Sequence, residues 1–210
     1  MKIAFAGPSG LGKTTLAHLV ADRLKIDHPS TSAGDIFTRE DKFNLKDAYG
    51  YEGKGHQNVI NMSAMDPEFG MTFQNVILNR RAEQIENINP VVLDRCPIDN
   101  VVYMLTQVAH NIHEASVKEF INKAQMAYMQ LTHVIIIRYS PDIPFIEDND
   151  SRVPNRYFQQ YISDVFGGVY TRYFSHIIGP MVMEIDFWNL ENRVNTVLEF
   201  VKHEQLKADL

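Results

Sequence analysis

The sequence predicts a three-layer α/β/α fold, a parallel sheet with helices packed on both faces. Three observations carry this. Short apolar runs at 2–6, 91–94, 133–139 and 181–185 read as buried strands. Segments with helical spacing of apolar residues lie between them. A glycine-rich turn joins the first run to the first helix.

In chain order, KIAFA at 2–6 is the first strand. Residues 13–25 place Leu16, Leu19, Val20 and Leu24 on one helical face. A short second strand is expected at 27–31, and a helix beginning around 34–36. The polar, glycine-bearing stretch 50–57 reads as a loop. Residues 71–87 are helical, with Phe73, Val76, Ile77, Arg80 and Gln84 close to one face. VVLD follows Pro90 as a buried strand ending at Asp94. Helical periodicity returns across 98–109 and 114–129. HVIIIRY at 133–139 is the most strand-like run, rich in β-branched residues. The proline-rich, charged segment 141–156 is a loop, and 154–176 is helical. MVMEI at 181–185 is the last strand, followed by a helix over 190–203.

The 210 residues fit one domain, 1–210, with an acceptor-binding insert at about 34–88 and a lid at about 141–156. Hydrophobic residues make up 45%, enough for an ordinary core. A net charge of −6 argues against a nucleic-acid surface, so a small anion would be held by local basic residues. The single cysteine, Cys96, excludes an internal disulfide framework and suits a cytoplasmic location. The first residues are too short and glycine-rich for a signal peptide, and no apolar run reaches membrane-spanning length.

Gly7-Pro8-Ser9-Gly10-Leu11-Gly12-Lys13-Thr14 fits G-x-x-x-x-G-K-[ST], with a strand before it and a helix after it. Glycines let the backbone curl so that its N–H groups converge on phosphate oxygens, and the helix N-terminus adds partial positive charge. Residues 7–14 with Thr15 form the expected ATP site. Lys13 reaches the β- and γ-phosphates, and the Thr14 hydroxyl ligates Mg²⁺.

Asp94 ends a strand at the sheet edge where ligands sit, so it is either a Mg²⁺ ligand or a helix cap; for Asp99 the cap is the expected role. Arg95 would pair with an acceptor phosphate or with the transferring group. Arg152 and Arg156, one helical turn apart, would neutralise charge as the lid closes; the plainer alternative is a surface cluster with Glu147, Asp148 and Asp150. Asp35 is either a general base for a hydroxyl acceptor or a helix cap, and Arg39 would grip a phosphate acceptor. Phe73 and Gln74 would stack on and read a base, with Arg80 and Arg81 on the same wall; plain packing for Phe73 and solvent exposure for the polar residues is the alternative. The aromatics Tyr157, Phe158, Tyr161, Phe166, Tyr170, Tyr173 and Phe174 read as a packed helix face. The histidines lack metal-ligand spacing.

These motifs resemble the nucleoside and nucleotide kinases of the P-loop group. GPSGLGKTT is similar to the kinase P-loop. VVLDRCPIDNVVY is similar to the strand-end motif of deoxynucleoside kinases, and closer to the D-R-x-P-x-D pattern of ribosylnicotinamide-kinase-like proteins. IPFIEDNDSRVPNR resembles that family's lid, and FQNVILNRR the acceptor-side helix of deoxynucleoside kinases. Phage-encoded kinases share this pattern. The resemblance implies a P-loop NTPase fold with a five-stranded parallel core of order 2-3-1-4-5 and a helical and loop lid. It assigns phosphate and Mg²⁺ contacts to Lys13 and Thr14, a metal-site carboxylate to Asp94, and charge clamps to Arg95, Arg152 and Arg156. Cys96 stands where the family has serine. Ser32-Ala33-Gly34-Asp35 with Arg39 is more like adenylate-type monophosphate kinases.

The expectation is an ATP- and Mg²⁺-dependent kinase. Its acceptor would be a nucleoside, a deoxynucleoside monophosphate or a similar small molecule. Two rivals stay open: a kinase acting on a nucleic-acid polymer, and a nucleotide-binding regulatory module with little turnover. A homodimer is also left open.

Overall fold

The computed structural model describes residues 1–29, 66–143 and 156–208. Strands β1 (Lys2–Ala6), β2 (Val91–Leu93), β3 (His133–Ile137) and β4 (Met181–Ile185) form one sheet in the order β2-β1-β3-β4. All three pairings are parallel, with Ala4 opposite Leu93 on one side and Val134 on the other. The helices are α1 (Lys13–Leu24), α2 (Pro67–Asn87), α3 (Pro97–Gln107), α4 (Glu114–Met129), α5 (Arg156–Val169) and α6 (Leu190–Ala208).

The period-2 alternation of the strands sorts their side chains into two cores. Ile3, Phe5, Val92, Ile135, Ile137 and Ile185 pack against Leu16, Ala17 and Val20 of α1 and Val194, Val197 and Val201 of α6. Ala4, Ala6, Val91, Leu93, Val134 and Ile136 face α2, α3, α4 and α5 through residues such as Leu78, Val101, Phe120 and Phe166. This is the three-layer arrangement the alternation of elements predicts. The parallel strands put all four carboxyl ends, and the turns that follow them, along one edge.

The expected five strands are four among the described residues. Of the one expected at 27–31, the described residues 27–29 form a single bridge, Asp27 beside Val91, with the Val92 N–H donating to the Asp27 carbonyl at 2.9 Å. Pro29 follows two residues later and has no N–H to continue a ladder. The bridge lies against β2, the place the expected order gave the second strand. The four strands present keep the expected 3-1-4-5 sequence of neighbours.

Helix α2 starts four residues before its expected beginning at 71. Asp66 caps it by accepting from the Phe69 N–H at 2.9 Å, and Pro67 occupies the first turn. The helix expected over 154–176 is α5 followed by a π-helical turn, Tyr170–Phe174. Its aromatics do not form one packed face. Phe166 and Phe174 are buried, whereas Tyr157 and Tyr161 are 82% and 55% exposed. At 100° per residue the buried stripe runs through Ile162, Phe166 and Val169 and leaves residues 157 and 161 outside it.

Candidate active site

The glycine turn between β1 and α1 has left-handed or otherwise glycine-favouring backbone at three positions, with φ of 138° at Gly7, 85° at Gly10 and 76° at Gly12. A Cβ on Gly7 would lie 2.3 Å from the Ile137 carbonyl oxygen, so β3 itself forbids a side chain there. Gly12 is the N-cap of α1, no side chain caps that end, and no acidic residue sits in its first turn. The end of the helix therefore keeps donors and partial positive charge for an anion. Pro8, Leu11 and Lys13 are buried, Ser9, Gly10 and Gly12 half-buried, and Thr14 and Thr15 exposed. The Lys13 ammonium folds back over the turn and donates to the Pro8 carbonyl at 2.5 Å.

Asp94 follows β2 at the carboxyl edge and is buried. The Thr14 hydroxyl donates to its Oδ2 at 3.2 Å, joining the start of α1 to the end of β2. Asp94 does not cap α3: the cap is Cys96. Asp99 completes the capping box by accepting from the Cys96 N–H at 3.1 Å. Asp99 also accepts from Arg95 Nη1 at 3.0 Å. Tyr103 of α3 lies beside Arg95 and the Ser9 backbone, and both oppose the rise that burial gives its hydroxyl pKa. Burial works against the Arg95 charge, but Tyr103, Asp99 and Asp94 outweigh it and leave its pKa raised. Burial pushes the Cys96 thiol up, away from thiolate chemistry.

Helix α2 directs Phe73, Gln74 and Arg81 inward, and all three are buried. Phe69 and Phe73 stack at 6.2 Å. Arg81 Nη1 donates to the Cys96 carbonyl at 3.1 Å and to Asn100 Oδ1. Burial lowers the Arg81 pKa, partly offset by Asp99. Arg80 takes the neighbouring stripe and lines an outer groove with Val76, Asn79 and Glu83. Arg156 is exposed at the first residue of α5, three residues before Gln159, whose amide donates to the Ser9 carbonyl at 3.2 Å. Asp35, Arg39 and Arg152 lie outside the described residues.

The structure thus brings Lys13, Thr14, Asp94 and Arg95 around one turn, with Gln74 and Arg81 on the helix that packs beside α3. Sequence reading passed over Asn100, Tyr103, Gln159, Trp188 and Arg193. A signal existed for Arg193, and for the burial of Arg81, which the sequence had placed on the acceptor wall. Arg81 and Arg193 interrupt apolar stripes, Ile77–Leu78–Ile85 and Val194–Val197–Val201, where a cation has no packing reason to be.

Solved structures share this fold. Deoxyadenosine kinase from M. mycoides with bound dCTP aligns with a TM-score of 0.58 at 13% identity, over 97% of this chain and 100% of that one. Thymidylate kinase from Candida albicans aligns at 0.58 and 12%, over 97% and 92%. The YorR protein from Bacillus subtilis, in complex with phosphorylated GDP, aligns at 0.53 and 13%, over 98% of both. At these identities the likeness is one of fold, an α/β P-loop kinase fold. Curated proteins show no sequence match. A family model described as an AAA domain matches residues 2–178, so the chain belongs to the AAA domain family.

Proposed function

We propose that this chain is an ATP-dependent kinase that transfers the γ-phosphoryl group to a nucleoside, a deoxynucleoside monophosphate or a similar small acceptor. The observation that carries the reading is the Thr14–Asp94 hydrogen bond beside a glycine turn that already curls around Lys13. A hydroxyl and a carboxylate are the hard oxygen donors Mg²⁺ takes, and one or two protein ligands suffice where phosphates complete the shell. When bound, Mg²⁺ neutralises charge on the β- and γ-phosphate oxygens. The turn's N–H groups and Lys13 hold the triphosphate, and Thr14 and Asp94 hold the metal. Arg95, oriented by Asp99, meets the transferring group or an acceptor phosphate.

On the acceptor side, Phe73, Gln74 and Arg80 from α2, with Asp35 and Arg39 before it, are assigned to the acceptor. Asp35 takes the proton of an attacking hydroxyl, and Arg39 holds a phosphate acceptor. Arg152 and Arg156 close over the phosphates and exclude water. Named neighbours that bind nucleosides and nucleotides support this acceptor class.

Transfer from γ-labelled ATP to a panel of nucleosides, nucleoside monophosphates, nicotinamide riboside and hydroxymethylated DNA tests the reading. The expected result is label on a small acceptor, reduced about a hundredfold or more by Asp94→Asn. Label on DNA alone would make the polymer the substrate. Tight ATP binding with no labelled product would make the chain a regulatory module.

A further inference from the structure

Arg193 is one of two arginines buried among the described residues, the other being Arg81. Arg193 sits on α6, on the core side, and is 1% exposed. Its Nε donates to the Phe187 carbonyl at 2.5 Å and its Nη1 to the Leu11 carbonyl at 2.8 Å. The Trp188 ring lies 5.2 Å from the guanidinium carbon. No carboxylate pairs with it and its Nη2 has no hydrogen-bond partner among the described residues. Burial alone lowers its pKa. A buried guanidinium without an acid is a costly way to pack a helix, since a methionine would fill the space without the desolvation.

The Leu11 bond supplies a reason. Residue 11 lies between Gly10 and Gly12, both with positive φ, in the middle of the phosphate turn. The Leu11–Gly12 peptide plane turns about ψ of Leu11 and φ of Gly12, and on the glycine side it rotates at little steric cost. In a trans peptide the C=O and the following N–H point in opposite directions. Fixing the Leu11 carbonyl on Arg193 therefore aims the Gly12 N–H away from α6. Trp188 closes the same wall: a Cβ on Gly12 would lie 3.8 Å from its ring and 3.9 Å from Arg193 Nη1.

We propose that Arg193 is a positioning residue for the phosphate-binding turn: from the C-terminal helix it locks the Leu11–Gly12 peptide in the orientation that presents the Gly12 N–H to a polyphosphate. This rests on the reading that the turn binds a triphosphate. It acts through the backbone of the turn and needs no contact with base or ribose.

Dissociation constants of Mg-ATP and of Mg-tripolyphosphate, which has no base or sugar, separate the possibilities in wild type, Arg193→Met and Arg193→Lys. The emission of Trp188, the chain's one tryptophan, and the melting temperature confirm folding. In Arg193→Met both constants rise together by about tenfold or more, and Arg193→Lys, which keeps the charge and a donor, recovers part of the loss. Should the methionine variant not fold, the lysine variant carries the same comparison with a smaller rise in both constants. An unchanged pair of constants in a folded variant overturns the proposal. So does a loss confined to ATP, which would place Arg193 at the base. Failure of the wild type to bind either probe would instead remove the triphosphate reading beneath it.

Discussion

The two sides of the carboxyl edge are built differently. On the proposed donor side, one contiguous stretch, residues 7–14, supplies most of the groups, and they are largely backbone. Contacts from distant elements brace that stretch: Asp94 on Thr14, Gln159 on Ser9, Arg193 on Leu11. On the proposed acceptor side the groups are side chains from separate elements. Phe73, Gln74 and Arg80 come from α2, and Arg95 precedes α3. A phosphate chain is the same in every nucleotide, so a fixed backbone cradle serves. An acceptor is recognised by its differences, and those are read by exchangeable side chains.

This contrast is broken most easily at Lys13. Lys13→Ala should lower turnover about a thousandfold with every acceptor alike, measured by steady-state kinetics. A loss that varied strongly between acceptors would mean that Lys13 belongs to both sides.

Gly7→Ala comes next. Its Cβ would meet the Ile137 carbonyl at 2.3 Å, so β1 and β3 must separate. Chemical denaturation should show a loss of about 3 kcal/mol, as expected for overpacking with an incompatible φ. A neutral result would show the turn to be softer than a braced cradle.

Gln74→Ala sharpens the contrast from the other side. It should raise the acceptor KM about tenfold and leave the KM for ATP unchanged. Equal changes in both would dissolve the division.

The smallest effect is on pH dependence. Burial raises the pKa of the Cys96 thiol and of the Tyr103 and Tyr128 hydroxyls in the folded chain. A raised pKa means that the folded state holds protons the unfolded state releases. Stability from these groups is full below their ordinary values and is lost as pH rises past them. The melting temperature should stay level up to about 9, the ordinary thiol value, and decline above it. A melting temperature rising through that range would contradict the burial of these groups.

The same division explains how much was legible in the sequence. The donor turn could be read because its geometry is local: glycines at fixed offsets and a lysine at the helix start. The four strands could be read from their apolar runs, and Asp94 from its place at a strand end. The expected strand at 27–31 was harder to read: in its described part, 27–29, a single bridge forms before Pro29, which has no N–H for a ladder. Asp99 was legible as part of the cap because capping is local too, but it completes the box from N3 while Cys96 is the N-cap. The Arg81–Asn100 and Arg193–Leu11 contacts span 19 and 182 residues, and no spacing rule reaches that far. What the sequence does show there is a cation on an apolar stripe, a mark of tertiary purpose that does not name its partner.

The pairing of Thr14 with Asp94 is the point on which the proposed chemistry turns, and calorimetric titration with ATP, in magnesium and in EDTA, meets it directly. Magnesium should tighten ATP binding by about tenfold or more in the wild type, and that gain should vanish in Asp94→Asn while binding in EDTA stays the same. Equal affinity with and without the metal in the wild type, or a magnesium gain that survives the substitution, would contradict it.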